Sequence, residues 1–509
     1  MTLHRVARVT NVPEDRGLEV QVQGSKILLL RAGEQLRAYQ AECPHAGAPL
    51  ADGAVCNGRL TCPWHKAQFR IEDGGLCEPP ALDSLKRYPL EIRDGEIWVG
   101  DQPLSDAHTP PADDPRTFII IGAGAAGTAA AAALREKGFG GLVLLIDREA
   151  DAGYDRTALS KYVIAGEMPL QEVPPLRDEA FYREQRIERL QGEVASLDAS
   201  NRTLRLIDGQ SLTYDAALLA TGGIPKLLTL PGADLPQVFV LRSRAHAQQI
   251  LHSASAGQRV VIIGDSFIAM ESASSLRQLG LDVTVLARHA VPFAKQFGET
   301  VGKAIRARHE ANGVVFHTQG NAVQIEGTNK VEAVRLDNGQ RLAADLVLVG
   351  IGVTPATAAF TGLAKEQDQS LRVDGAMRVA DGLWAAGDIA TFPLNNQYVR
   401  IEHWRLAQQQ ARIAAANMLG GDEHYLDVPF FWTWHFGKTY DYLGHAEGWD
   451  EVEFKGDPYD PPFIGLFGKN GVVSAALACE MDRAMAMLAE RMKQPLPWEE
   501  AWRLIRDTP

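Results

Sequence analysis

The reading of this chain turns on Phe118-Ile119-Ile120-Ile121-Gly122-Ala123-Gly124-Ala125-Ala126-Gly127. A run of apolar residues suits a buried parallel strand, and the glycines that follow have the Gly-x-Gly-x-x-Gly spacing of a dinucleotide-binding turn. Gly122 makes the tight turn, Gly124 lets the backbone approach a pyrophosphate, and Gly127 lets the helix pack on the strand. Ala125 and Ala126 open an alanine-rich helix running to Gly138, whose N-terminus faces the phosphates. The next apolar run, 142–146, ends on Asp147, where an acid can bind ribose hydroxyls. A merely structural glycine turn is the rival reading, and the joint presence of strand, helix and terminal acid speaks against it.

The same frame recurs at 260–263, followed by Gly264-Asp265-Ser266-Phe267-Ile268-Ala269, with one of the three glycines kept. Ser266 stands where the backbone must approach phosphate, and Asp265 adds negative charge nearby. This lobe therefore either binds a nicotinamide dinucleotide in a modified way or binds it poorly. Its second strand, 282–286, ends at Ala287-Arg288-His289 without a carboxylate for a 2′-hydroxyl. A basic side chain there can accommodate a 2′-phosphate, which favours NADPH over NADH. The rival reading of Arg288 is a solvated surface residue.

Upstream, Cys43-Pro44-His45 and Cys62-Pro63-Trp64-His65 have sixteen residues between them. A Cys-x-His followed by a Cys-x-x-His is what a Rieske [2Fe–2S] cluster needs, with two thiolates on one iron and two imidazoles on the other. Zinc is the rival metal, but zinc fingers use Cys-x-x-Cys and His-x-x-x-His pairs, whereas each pair here mixes ligand types. Cys43, His45, Cys62 and His65 are the expected ligands. Cys56, Cys77 and Cys479 read as small buried residues.

A chain of 509 residues exceeds one core, and 46% hydrophobic with 23% charged residues is ordinary for soluble protein. No apolar run is long enough for a membrane helix, and the N-terminus has no signal-peptide core. Few cysteines, two of them claimed by iron, predict a reducing cytoplasm. A formal charge of −13 argues against nucleic acid. Residues 421–509 hold 8 Lys/Arg against 16 Asp/Glu, while residues 1–100 hold 12 against 13. The acidic segment reads as a solvated surface or as a docking face for a basic partner.

The predicted organisation is a small all-β cluster domain at 1–105, then a Pro- and Asp-rich linker at 106–115 that tethers without fixing geometry. An α/β reductase with two dinucleotide-binding domains follows: a first nucleotide domain at 116–230, a nicotinamide domain at 231–340, and completion of the first at 341–420. An α+β C-terminal domain at 421–509 contains the aromatic cluster Phe430, Phe431, Trp432 and Trp434, and is expected beside the first domain's ligand or at a subunit contact.

Further segments carry a resemblance: 154–161 (YDRTALSK), Ala220-Thr221-Gly222, Val291-Pro292-Phe293, Trp384-Ala385-Ala386-Gly387-Asp388 and Pro429-Phe430-Phe431-Trp432-Thr433. Together they resemble the Rieske-containing relatives of apoptosis-inducing factor, close to the ferredoxin reductases of bacterial aromatic-ring dioxygenase systems. The resemblance implies FAD in the first nucleotide fold, with Gly387 and Asp388 at the ribityl chain and Arg156, Thr221 and Gly222 also at the cofactor. It places Lys161 beside the flavin ring with Glu271 pairing it, against the alternative of an ordinary ion pair. It sets Trp404, at the start of a helix over 404–419, facing the flavin, an aromatic that otherwise reads as core.

The implied activity is that of an NAD(P)H-dependent FAD oxidoreductase passing electrons through a Rieske cluster to an acceptor such as an oxygenase, cytochrome, ferredoxin or small molecule. The alternative is an NAD(P)H-responsive redox sensor or interaction protein with slow turnover, and a homodimer is possible in either case. Disulfide reductases of this fold carry a cysteine pair after the first ribose acid. Here Gly153-Tyr154-Asp155-Arg156 has none, which excludes dithiol chemistry. No His pair with a nearby acid suggests a mononuclear iron site. Ala48 and Trp64 replace the cysteines that flank high-potential clusters, which places this cluster nearer about −150 mV than +300 mV.

Overall fold

The computed structural model describes residues 2–105 and 112–507. Most of the linker read at 106–115 lies outside the described residues.

Three small antiparallel sheets build the N-terminal domain. One joins Leu3–Arg8, Glu96–Gly100 and Leu90–Arg93, and a second joins Leu18–Val22, Ser25–Ala32, Gln35–Gln40 and Arg87–Tyr88. The third runs Ala54–Cys56, Arg59–Thr61, Gln68–Arg70 and Leu76–Glu78. The two Cys-His loops leave the ends of Gln35–Gln40 and Arg59–Thr61, with Leu28, Leu50, Leu60 and Phe69 packed behind them.

The first nucleotide domain is a six-stranded sheet ordered Ile187–Gln191, Leu142–Asp147, Thr117–Ile121, Ala216–Leu219, Leu383–Ala385, Arg378–Ala380. All but the last pairing are parallel, so the central strands are covered on both faces and read as continuous apolar runs. Helices Ala125–Glu136 and Trp404–Met418 pack side by side on this sheet, and the alanines of the first are small enough to be buried between sheet and neighbouring helix.

The nicotinamide domain has a five-stranded parallel sheet ordered Val238–Phe239, Leu346–Val349, Arg259–Ile263, Asp282–Leu286, Val315–His317. Leu346–Val349 lies in this sheet between Val238–Phe239 and Arg259–Ile263, beyond the 340 at which the sequence reading ends the domain. In isolation that apolar run looks like a strand returning to the first domain. It belongs here because Val260–Ile263 needs a parallel neighbour on each side.

The C-terminal domain is a five-stranded antiparallel sheet, Phe430–His435, Lys438–Gly444, Val472–Cys479, Asp460–Lys469 and Glu451–Asp457, backed by helices Asp482–Arg491 and Trp498–Asp507. It confirms the α+β reading. No described helix is long and apolar enough to cross a membrane.

The N-terminal domain is not free on its tether. Lys66 Nζ sits 2.7 Å from Asp441 Oδ2, and Gln68 Nε2 donates to Glu490 at 3.1 Å. Arg405 donates to Pro79 O at 2.9 Å, Arg177 pairs with Asp83 at 2.6 Å, and Leu82 is buried in the core of the first nucleotide domain. Gln409 donates to Glu78 at 2.9 Å, and Arg405 and Lys493 stand beside Asp427. Burial first, then the charge of Asp427, pushes the Glu78 carboxyl up to about 8. The folded state therefore keeps a proton on Glu78 that the unfolded chain releases near the ordinary carboxylate value. The stability that Glu78 contributes is fully present below the ordinary carboxylate value and falls as pH rises toward and through about 8. The expected result is a thermal midpoint that drops between pH 7 and pH 9, with a shallower drop in Glu78→Gln, measured by scanning calorimetry.

Candidate functional site

The two Cys-His loops are built alike. Cys43 N–H donates to Ala48 O and Cys62 N–H donates to Ala67 O, each at 2.8 Å. At the fourth residue after each cysteine the backbone is left-handed: Gly47 at φ +74° and Lys66 at φ +60°. Glycine adopts this freely, whereas lysine does so only under constraint. The Lys66 ammonium is wholly buried, donating to Pro63 O, to Trp64 O at 3.1 Å and to Asp441.

Folding sorts the mixed sequence pairs into like pairs. His45 Nδ1 and His65 Nδ1 converge to 3.1 Å. The Cys43 thiol is hydrogen-bonded to Cys62, which with burial pushes it up. Burial lowers both imidazoles below their usual range, so each offers a lone pair. No three His, Cys, Asp or Glu side chains converge on a single ion position among the described residues. A cluster of two irons takes two protein ligands on each, which the thiol pair and the imidazole pair can supply. The donors therefore fit a [2Fe–2S] cluster.

Beside the loops lies a cavity of about 1350 Å³. Gly122, Gly124, Ala125, Ala126, Asp147, Arg156, Lys161, Thr221, Gly222, Gly387, Asp388 and Trp404 all line it, as do Gly264, Glu271 and Arg288. Gly127 does not. A Cβ at Gly127 would fall 1.7 Å from Gly122 O, so its service is the helix–strand contact. Gly122, at φ +108°, has Ala220 O 2.3 Å from where a Cβ would stand.

Asp147 Oδ2 accepts the Ala123 N–H at 2.5 Å, bracing the glycine turn. Asp388 pairs with Arg242 at 2.8 Å, and Gly387 N–H donates to Gln410 at 2.8 Å. Trp404 stands at the first turn of its helix, packed against the first domain's core while facing the cavity. Lys161 and Glu271 are both buried, 3.1 Å apart, and Ser160 Oγ adds a 2.5 Å bond to the same carboxylate oxygen.

The second glycine turn is sounder than its sequence suggests. Gly264 has φ +114°, matching Gly122. Room for Ala269, which replaces the third glycine, comes from Gly350, whose absent Cβ would lie 2.6 Å from Ala269 Cβ. Asp265 accepts both the His289 N–H and the His289 ring Nδ1–H at 2.9 Å, so its charge is occupied by the loop that carries Arg288. Ser266 caps helix Phe267–Gln278 through the Ala269 N–H.

The strand Phe430–His435 joins the two sites. Its side chains alternate, as a strand requires. Phe431 packs on Phe267, Thr433 donates to Glu271 at 2.8 Å, and His435 faces His309 at 3.2 Å. On the opposite face the His65 ring lies 4.2 Å from the Trp432 ring, and Lys66 sits over Phe430 at 5.2 Å. Trp432 also lines the cavity, with Lys161 Nζ 5.9 Å from its ring centroid.

Sequence reasoning missed Lys66, Thr433, His435 and Arg242. Only Lys66 left a signal, because it takes the place that Gly47 holds in the sister loop.

Residues 116–411 match the model of the family described as pyridine nucleotide-disulphide oxidoreductase, and residues 2–89 match the Rieske [2Fe-2S] domain. The chain belongs to the pyridine nucleotide-disulphide oxidoreductase family. It is an oxidoreductase of the ferredoxin-reductase-like kind with a Rieske domain at its N-terminus. It is 33% identical over 506 residues to apoptosis-inducing factor 3 of Mus musculus, covering 95% of this chain and 83% of that one. It is 36% identical over 376 residues to the biphenyl dioxygenase system ferredoxin–NAD(+) reductase component of Paraburkholderia xenovorans strain LB400, covering 73% and 91%.

Among solved structures, the ferredoxin reductase for the CYP199A2 system of Rhodopseudomonas palustris superposes with TM-score 0.71 at 29% identity, over 77% of this chain and all 100% of that one. The covalent putidaredoxin reductase–putidaredoxin complex superposes with TM-score 0.68 at 28% identity, over 77% of this chain and 93% of that one.

Cys43, His45, Cys62 and His65 sit in the N-terminal domain, apart from the residues that form the glycine turns of the oxidoreductase cavity. His45→Ala and Cys62→Ala are accordingly expected to purify without iron while flavin content is unchanged. Iron analysis beside the flavin absorbance of the same sample checks this.

Proposed function

We propose that this oxidoreductase moves electrons from NADPH through FAD to its own Rieske cluster, and outward to a redox-protein acceptor. The contact that carries the reading is Trp432, whose ring stands 4.2 Å from the His65 ring and also lines the nucleotide cavity. The reductases it resembles are named for a separate ferredoxin, and here a Rieske domain of the same chain lies against the reductase. When bound, FAD converts a two-electron hydride into single-electron steps, and the [2Fe–2S] cluster is a one-electron carrier.

The protein's part is to bind and orient. The glycine turns at Gly122 and Gly264 expose backbone N–H groups and helix N-termini to the two pyrophosphates. Asp388, steadied by Arg242, is placed for a ribityl hydroxyl, and Arg156 with Thr221 and Gly222 completes that half of the cavity. Lys161 would present a positive charge to a flavin ring held in the cavity, and Glu271 fixes the direction of that ammonium. Arg288 is exposed at the cavity, and with His289 engaging Asp265 it favours a 2′-phosphate. Trp64, 41% exposed beside His65, marks the outer edge of the cluster loops, where an acceptor would approach.

Anaerobic stopped-flow with NADPH, following flavin absorbance and the cluster's EPR signal, tests the relay. In Trp432→Ala flavin reduction should keep its rate while cluster reduction slows about tenfold or more, a barrier increase of ~1.4 kcal/mol. Cluster reduction at the parent rate in that variant would overturn the path, and a cluster that stays oxidised in the parent would favour the sensor. In Arg288→Ala the ratio of kcat/KM for NADPH over NADH should fall about tenfold, the order of one charged hydrogen bond lost.

A further inference from the structure

Behind Glu271 runs a line of buried polar groups that the reading above does not use. Glu271 Oε2 takes the bonds from Lys161 and Ser160, and Glu271 Oε1 accepts from Thr433 Oγ1 at 2.8 Å. Thr433 Oγ1 lies 3.1 Å from His435 Nε2, and His435 Nδ1 lies 3.2 Å from His309 Nε2. Thr433, His435 and His309 are all 0% exposed, and His309 Nδ1 has no hydrogen-bond partner.

The proton positions follow by elimination. Paired with Lys161, Glu271 is a carboxylate and only accepts. The single Thr433 proton must therefore point at Glu271, which leaves its oxygen to accept from His435 Nε2–H. Burial first, then the His309 ring, Lys161 and Arg308, push the His435 imidazole well below its usual range, against a smaller upward pull from the Met270 backbone. It is neutral, so His435 Nδ1 is a bare acceptor. His309 Nε2–H then donates to it. Burial and Arg308 push His309 down to about 3, so it too is neutral and its Nδ1 ends the line as an empty lone pair. The charged and titratable groups around the two rings are Arg308 on His309's own helix, Lys161, Glu271, and Tyr440, whose hydroxyl accepts from Arg308 at 3.3 Å. Aromatic rings of Phe293, Phe316 and Phe436 close the remaining sides.

An apolar pair would fill this space without an unpaired nitrogen, so the two buried histidines call for a physical reason. We propose that His435 and His309 are positioning residues: a one-way hydrogen-bond chain that holds the Thr433 proton on Glu271 and so keeps the Lys161–Glu271 charge pair fixed toward the flavin. This rests on the reading of the cavity as a flavin site. Without the chain the Thr433 hydroxyl is free to turn and Glu271 loses a fixed donor, so the carboxylate is less firmly held against Lys161. Lys161 is then less compensated, and reduced flavin gains.

Two measurements on the full-length protein test this. The first is spectroelectrochemical titration of the flavin from pH 6 to pH 9 in the parent, His435→Leu, His435→Gln and Thr433→Val. At fixed solution potential the reduced-to-oxidised flavin ratio should rise about tenfold in His435→Leu and Thr433→Val, roughly 30 mV for a two-electron couple. His435→Gln, which retains an N–H donor for Thr433, should stay within about twofold of the parent. Parent-like ratios in both breaking variants would overturn the proposal, and so would equal shifts in the Leu and Gln variants, which would mark a packing effect. Thr433→Val decides the matter if His435→Leu does not fold.

The second is ring-nitrogen NMR of protein labelled with 15N-histidine, assigned by His309→Asn. It should show both rings neutral with the proton on Nε2 across that pH range. A proton on either Nδ1 would overturn the chain. This arm needs no flavin, so a protein that fails to bind FAD while showing these tautomers would refute the reading of the cavity and leave the chain standing.

Discussion

The buried ion pair between Lys66 and Asp441 is the constraint on which the arrangement of the two sites depends. A lysine with no exposed surface is tolerable only against a counter-charge and carbonyls, and Lys66 has both. Removing one partner of such a pair typically costs about 3–5 kcal/mol, because it strands the other charge. The pair spans residues 375 positions apart. It ties the second cluster loop directly to the C-terminal sheet and holds Lys66 in a backbone conformation that its sister loop assigns to glycine. The tether at 106–115 need not orient the domain, since this pair and the seam around Arg405 and Glu78 do so.

From that docking follows the double use of one strand. Phe430–His435 is the outermost strand of its sheet, and period-2 alternation sends its side chains in opposite directions. Phe430 and Trp432 meet the loop that carries His65 and Lys66, while Phe431, Thr433 and His435 meet the nicotinamide domain and the cavity. A slip of one residue in its pairing with Lys438–Gly444 would exchange the two sets. The position of an aromatic ring beside His65 and the support of the Lys161–Glu271 pair are thus consequences of the same register.

Much of the site was legible because its chemistry demands residues at short, fixed spacing. A glycine turn between strand and helix is local, as is a Cys-x-His loop, and both stand where they were read. Resemblance supplied Lys161, Glu271 and Asp388, which sit on separate elements and which spacing alone could not connect. Elsewhere local pattern is ambiguous. The run Leu346–Val349 suits any buried strand, and only the gap in the nicotinamide sheet assigns it. Asp265 looked like unwelcome charge near a phosphate until its bonds to His289 appeared.

By itself the sequence determined the kinds of site: mixed Cys-His pairs at Cys43, His45, Cys62 and His65, two dinucleotide turns, and the absence of a redox cysteine pair after Asp147. Each depends on residue types within a few positions of one another, and local geometry leaves them little choice. Tertiary structure alone decided that thiol meets thiol and imidazole meets imidazole, that Lys66 finds Asp441, that Trp432 lies between cluster loop and cavity, and that His309 stands behind His435. Those contacts join residues far apart in the chain, and they exist only because burial brings their elements together and leaves each buried polar group to find a partner.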